Sequence, residues 1–207
     1  MTPEQAADRV IHAVGICLGA IGAVALVWLT TINGRPGDLA PVLIYVAGLL
    51  AMLGCSAAYN VFHTSGRREW LRRFDHAAIF AMIAGTYTPF TTRLINGWSS
   101  GLTAVIWTVA AAGIALKLWQ PRRIEAISTV LYLSLGWIGL AAAAPFASAL
   151  DPRTLGLLAL GEIVYTAGVI FHLWRRLPYQ NAIWHGFVLV AAGIHYLAVL
   201  TVTPGLA

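Results

Sequence analysis

Seven polar side chains in an otherwise oily chain are spaced so that they could act together. Ser56, Asn60 and His63 stand at i, i+4 and i+7, one face of a helix; Asp75 and His76 are adjacent; Asn181 and His185 are four apart, again on one helical face. A hydroxyl, a carboxylate and imidazoles gathered at one place would make a polar pocket with a nucleophile, a base and an anion, a combination that packing does not need. Each residue alone reads equally as an interfacial group that ties helices together or meets the headgroups. A second set, Glu162 and His195, falls within apolar sequence, where an unpaired charge is costly. It reads either as a relay or substrate anchor, or as a protonated Glu satisfied by a neighbouring His, Tyr165 or Thr166.

The elements that must position these groups are transmembrane helices. Of 207 residues, 59% are hydrophobic and 10% charged, too little polar surface to cover a water-soluble globule of this size. Apolar windows of the roughly 20 residues that a bilayer core requires give seven spans, about 11–31, 41–62, 75–95, 100–119, 125–147, 154–174 and 181–203. The expected fold is therefore an all-α integral membrane protein forming a single seven-helix domain, 1–207. The breaks between spans are short, such as NGRPGD at 33–38 and RRLPYQ at 175–180, and leave no room for a soluble domain. Of the 13 cationic residues, only Arg35, Arg93 and Arg153 fall on one side. The others, including Arg122 and Arg123, lie at the N-terminus and in loops two–three, four–five and six–seven. This bias puts the N-terminus in the cytoplasm and the C-terminus outside. The Ser56, Asp75 and His185 group then lies within about 10 Å of the cytoplasmic boundary, and Glu162 roughly 18 Å from it.

Smaller signals concern packing. Gly15 and Gly19 form a GxxxG expected to bring helices close, and Pro89 is expected to kink or loosen the outer half of the third helix. Cys17 and Cys55 lie in apolar segments and behave as small hydrophobes, with no disulfide expected. The N-terminal apolar run is longer than a signal-peptide core and is expected to remain as the first span.

The stretches SAAYN at 56–60, RRFDHAAIFAMIAGTYTPF at 72–90 and IWHGFVLVAAGIHY at 183–196 resemble the hemolysin III family, the bacterial branch of the superfamily that includes the adiponectin and progestin receptors. The resemblance implies a seven-helix protein of the bacterial inner (cell) membrane with a cytoplasmic N-terminus. It also implies a zinc site near the cytoplasmic face that acts on lipid amides, with a His four residues after a Ser in the second span, two His four apart in the seventh, and an Asp in the third that positions water. Ser56, Asp75 and His185 match that pattern, whereas Asn60 and Asn181 stand where two of the three zinc-binding His belong. A neutral amide oxygen is a poor zinc ligand. His63, His76 or His12 are the candidates to substitute.

Four functions compete. The first is an intramembrane hydrolase of a lipid amide or ester, in which a metal or His185 activates water, Asp75 orients it and Ser56 donates a hydrogen bond. The second is a non-enzymatic protein that senses or adjusts bilayer state, with a degenerate metal site. Cytolysis, which the family name suggests, has no amphipathic pore-forming segment to carry it. Transport would use Glu162 but lacks an inverted repeat. Membrane lipids are the expected partners; the basic residues form no patterned nucleic-acid surface, and no soluble partner is inferable.

Overall fold

A computed structural model describes residues 2–62, 66–119 and 125–203; His63, Arg122 and Arg123 lie outside them. Its helices are α1 (Pro3–Asn33), α2 (Leu39–Val61), α3 (Arg68–Thr91), α4 (Trp98–Trp119), α5 (Glu125–Gly136), α6 (Ala143–Ala149), α7 (Pro152–Leu173) and α8 (Gln180–Val202), with a 3₁₀ segment, Trp137–Ala142, joining α5 to α6. There is no strand among the described residues. Six helical stretches are long and apolar enough to cross a membrane, with the α5–α6 rod counting as one from Ile127 to Ala149. With α3 they make the seven expected segments.

Two helices start well before their apolar windows. α1 begins at Pro3 because Thr2 caps it: the Thr2 hydroxyl accepts from the Gln5 N–H at 3.2 Å and the Gln5 side chain accepts from the Thr2 N–H at 3.0 Å, with Pro3 at the first helical position. α3 begins at Arg68, so Asp75 sits two turns inside the helix and does not open it, as the 75–95 window had implied.

α3 is the least apolar of the seven because it occupies the middle of the bundle. It packs along α2 and α4 and also meets α5 and α8, and its apolar residues Phe80, Met82, Ala84 and Phe90 are buried. A helix surrounded by protein needs less lipid-compatible surface than one at the rim. α1, by contrast, turns Ile21 and Val24 outward, 68% and 72% exposed, which in a bilayer means facing lipid. Between two apolar surfaces in lipid, close packing carries the association, and small residues permit it. A Cβ on Gly48 would lie 3.0 Å from the Ala81 carbonyl oxygen, and one on Gly85 3.1 Å from that of Ile44, so α2 and α3 meet at backbone range. The GxxxG works as expected: a Cβ on Gly19 would lie 2.4 Å from Leu53 Cδ1, the α2 side chain that fills the notch.

α7 pairs with α8, and α1 closes the ring against α2 and α8, whereas α5 contacts α4 and α7 only sparsely. The break after α5 is stitched by a neighbour. The Tyr87 hydroxyl donates to the Gly136 carbonyl and accepts from the Gly139 N–H at 3.1 Å, satisfying backbone groups that lipid cannot. Pro89 lies within α3, which continues to Thr91; the Thr88 hydroxyl, itself bonded to Ala84 O at 2.8 Å, accepts from the Trp107 indole at 3.1 Å. At this end of the bundle Arg93 joins Asp38 at 2.8 Å and the Val202 carbonyl at 2.7 Å, opposite the end where Ser56, Asp75 and His185 gather.

Candidate functional site

The early start of α1 builds the site. Asp8 and His12, i and i+4 on one face, are held between α2 and α8 by two anchors: the Tyr179 N–H donates to Glu4 Oε1 at 3.2 Å, and Arg9 Nη2 donates to the Val61 carbonyl at 3.4 Å. Tyr179 takes a left-handed conformation (φ 57°) just before α8, which turns the chain so that α8 can start there. Asp8 and His12 are 6% and 7% exposed, so neither is a solvated surface group.

The Asp8 carboxylate lies between two imidazoles. Its Oδ1 is 2.6 Å from His185 Nδ1 and its Oδ2 is 3.6 Å from His12 Nε2. The two rings are 4.4 Å apart, tilted by 54°. One ligand-type atom from each of the three residues lies within 4.8 Å of the others, making Asp8, His12 and His185 a candidate metal-binding triad. His12 Nε2 is buried and has no hydrogen-bond partner.

Beside the triad, Ser56 of α2 and Asp75 of α3 stand together, and Asp75 lies within electrostatic reach of His185, His12 and Asp8. The three residues that the sequence singled out as Ser56, Asp75 and His185 are thus brought to one place. The two asparagines take no part in a ligand set. Asn60 Nδ2 donates back to the Ser56 carbonyl of its own helix at 2.9 Å, and Asn181 is exposed at the start of α8. Neutral amides so placed do not fit the zinc pattern that the resemblance implies. His76 does not join the triad either; its Nδ1 is 3.4 Å from Lys117 Nζ, and its carbonyl accepts from the Tyr132 hydroxyl at 2.9 Å.

Deeper in the bundle, Glu162 Oε1 lies 3.5 Å from His195 Nε2, with His195 Nδ1 3.0 Å from the Ala191 carbonyl. The bare Gly161 backbone admits the His195 ring, whose Cε1 would lie 2.2 Å from a Cβ there. Thr166 is engaged elsewhere, accepting from the Trp137 indole at 3.0 Å, and the buried Tyr165 hydroxyl has no partner.

Both centres line a single cavity of about 1370 Å³. All eight helices contribute to its walls, which include Ser56, Asp75, His12 and His185 at one end and Glu162, Tyr165 and His195 further in. His185 and His195 are ten residues apart on α8, about 15 Å. Pockets for drug-sized ligands measure roughly 300–1,000 Å³, and this cavity is larger.

Asp8 is not among the residues that the sequence singles out; its i, i+4 spacing with His12 was a signal, but Asp8 precedes the apolar run of the first span.

A multi-pass seven-helix membrane bundle with a polar centre at its arginine-rich end is the class that fold and site define. Residues 4–196 match the family described as Haemolysin-III related. The chain is 33% identical over 200 residues to the Hemolysin-3 homolog of Bacillus subtilis (strain 168), covering 95% of this chain and 93% of that protein. It is likewise 33% identical over 200 residues to Hemolysin-3 of Bacillus cereus, covering 95% and 90%. The human Monocyte to macrophage differentiation factor is 27% identical over 205 residues, covering 95% of this chain and 83% of its own. The chain belongs to the haemolysin-III related family.

Proposed function

We propose that this protein is a hydrolase of the bacterial cell membrane that cleaves an amide or ester bond of a lipid at the cytoplasmic end of its cavity. The observation that supports the reading is the placement of Ser56, Asp75 and a His185–Asp8 pair at one end of a long apolar cavity. The acyl portion would lie along the apolar walls, entering where α5 packs sparsely against α7. Asp8 holds one nitrogen of His185, which orients the ring and favours its taking a proton from water through the other nitrogen. Asp75 positions that water, and the Ser56 hydroxyl donates to the substrate carbonyl as its oxygen gains charge. No step passes through a zinc held by Asn60 and Asn181.

The test is turnover of fluorogenic lipid amides and esters by protein purified in detergent. His185→Ala and Asp75→Asn are each expected to lose about 10²- to 10⁴-fold in rate, the usual contribution of a positioned acid or base. Folded protein that turns over no lipid class, or a His185→Ala variant as fast as wild type, would sink the proposal. A second reading draws on the two asparagines at the family's ligand positions: a non-enzymatic sensor of bilayer state whose polar end is a lipid-binding pocket. It expects the same variants to change stability or lipid binding with no catalytic loss to measure.

A further inference from the structure

We propose that this chain binds a divalent transition ion of the zinc type on Asp8, His12 and His185, so that two of three ligands come from α1 and none from α2. The inference deepens the hydrolase reading, on which it rests only for the use made of the ion.

Three observations carry it. The donor set of one carboxylate and two imidazoles is one that zinc accepts in catalytic sites, with a further position left for water. The donors are gathered from opposite ends of the chain, 177 residues apart for Asp8 and His185, at a buried place that packing alone would fill with apolar side chains. And His12 Nε2, buried and without a hydrogen bond, faces the Asp8 carboxylate at 3.6 Å, too far to be satisfied by it. Metal–nitrogen and metal–oxygen bonds of about 2.0–2.2 Å let two ligand atoms of one ion stand at most about 4.4 Å apart. The triad's ligand atoms, all within 4.8 Å of one another, lie close to that limit.

Asn60 and Asn181 fit the same account. With amides at positions 60 and 181, neither α2 nor the first turn of α8 brings a second imidazole to His185, while α1, packed against α8, brings a carboxylate and an imidazole. A bound ion of this type supplies a water acidified to near neutral pH, at the place where His185 otherwise takes the proton.

The experiment is metal content by elemental analysis, and cobalt(II) absorption after exchange, on detergent-purified full-length protein. Wild type is expected to hold about one zinc per chain, His12→Gln less than a tenth of that, and Asn60→Ala and Asn181→Ala as much as wild type. Because His12→Gln could lose metal by losing its fold, His12→Cys is measured beside it. A ligand role predicts that its cobalt form gains a sulfur-to-cobalt charge-transfer band, which a structural role would not produce. Zinc retained in His12→Gln, zinc lost in Asn60→Ala, a His12→Cys cobalt form without the band, or wild type that takes up neither metal would each overturn the proposal. Lipid turnover on the same samples separates the two readings: zinc on the triad without turnover refutes the hydrolase alone, and turnover by wild type that takes up neither zinc nor cobalt refutes the metal site alone.

Discussion

Removing the Asp8 charge while keeping its shape tests whether α1 and α8 are joined through the site. Asp8 and His185 approach to 2.6 Å with side chains only 9% and 14% exposed. At an effective dielectric of about 20, full charges at that separation attract by roughly 6 kcal/mol, most of which desolvation cancels. The net value of a charge-assisted hydrogen bond is about 1.5–3 kcal/mol, against about 0.2–1 for an exposed pair, and burial decides for the larger figure. A double-mutant cycle with Asp8→Asn and His185→Gln should therefore give a coupling energy of about 1.5–3 kcal/mol. The assay is reversible unfolding in detergent with a chelator present, so that the cycle reads the protein's own contact. His12 adds a weaker arm at 3.6 Å, so Asp8→Asn should cost more than His185→Gln. A coupling below about 0.5 kcal/mol would refute the carboxylate–imidazole contact, and with it the orientation of His185 on which the proposed mechanism depends.

Gly161→Ala drives a Cβ to 2.2, 2.4 and 2.9 Å from three atoms of the buried His195 ring, whereas a Cβ on Gly156, further along the same helix, meets nothing within 4 Å. Overpacking of this kind costs about 3 kcal/mol, or roughly 6–12 °C in Tm for a chain of this size, while Gly156→Ala should stay within about 2 °C of wild type; equal Tm values for the two would refute the close α7–α8 crossing. At the start of α7 the Thr154 hydroxyl, with the backbone N–H groups of Thr154 and Arg153, holds the exposed Asp151 carboxyl below its ordinary pKa. A depressed carboxyl stabilises above the unfolded value of about 3.9 and ceases to as pH falls through the folded value. The Tm gap between wild type and Asp151→Ala should thus hold constant from pH 8 to 5 and shrink below about pH 4; a gap that closes near neutral pH would refute the cap.

The number and order of helices were legible because lipid imposes one rule on every span: apolar length, with all backbone bonds made internally. The rule loses resolution where protein replaces lipid around a helix. α3 carries Glu69, Arg72, Arg73 and Asp75 in its first turns, so the apolar window found only its second part and ran on to residue 95, past its true end at Thr91. Likewise α1 extends to Pro3 by a local cap that hydropathy does not register. Between α5 and α6 the break at Gly136–Gly139 is stitched by Tyr87 arriving from α3, a partner no local pattern reveals. Ser56, Asp75, His185 and the Glu162–His195 pair were found because each is polar inside an apolar stretch. Asp8 was not, because it precedes the stretch, and its worth comes from a partner 177 residues away.

The division of labour at the arginine-rich end follows from which side chains reach the cavity. His12, His185, Ser56 and Asp75 line it, and Asp8 lies off it, behind the two imidazoles. The α1–α8 seam therefore holds His185 from behind, and in the proposed reaction the α2–α3 face meets the substrate in front. His185 is the residue common to both. On the two proposals, a change at His12 should strike ion binding and spare the positioning of water by Asp75, a change at Asp75 should do the reverse, and a change at His185 should strike ion binding and proton transfer together. This ordering makes the first turns of α1 part of the site, because the Glu4–Tyr179 and Arg9–Val61 bonds that seat the helix are what bring Asp8 and His12 to His185.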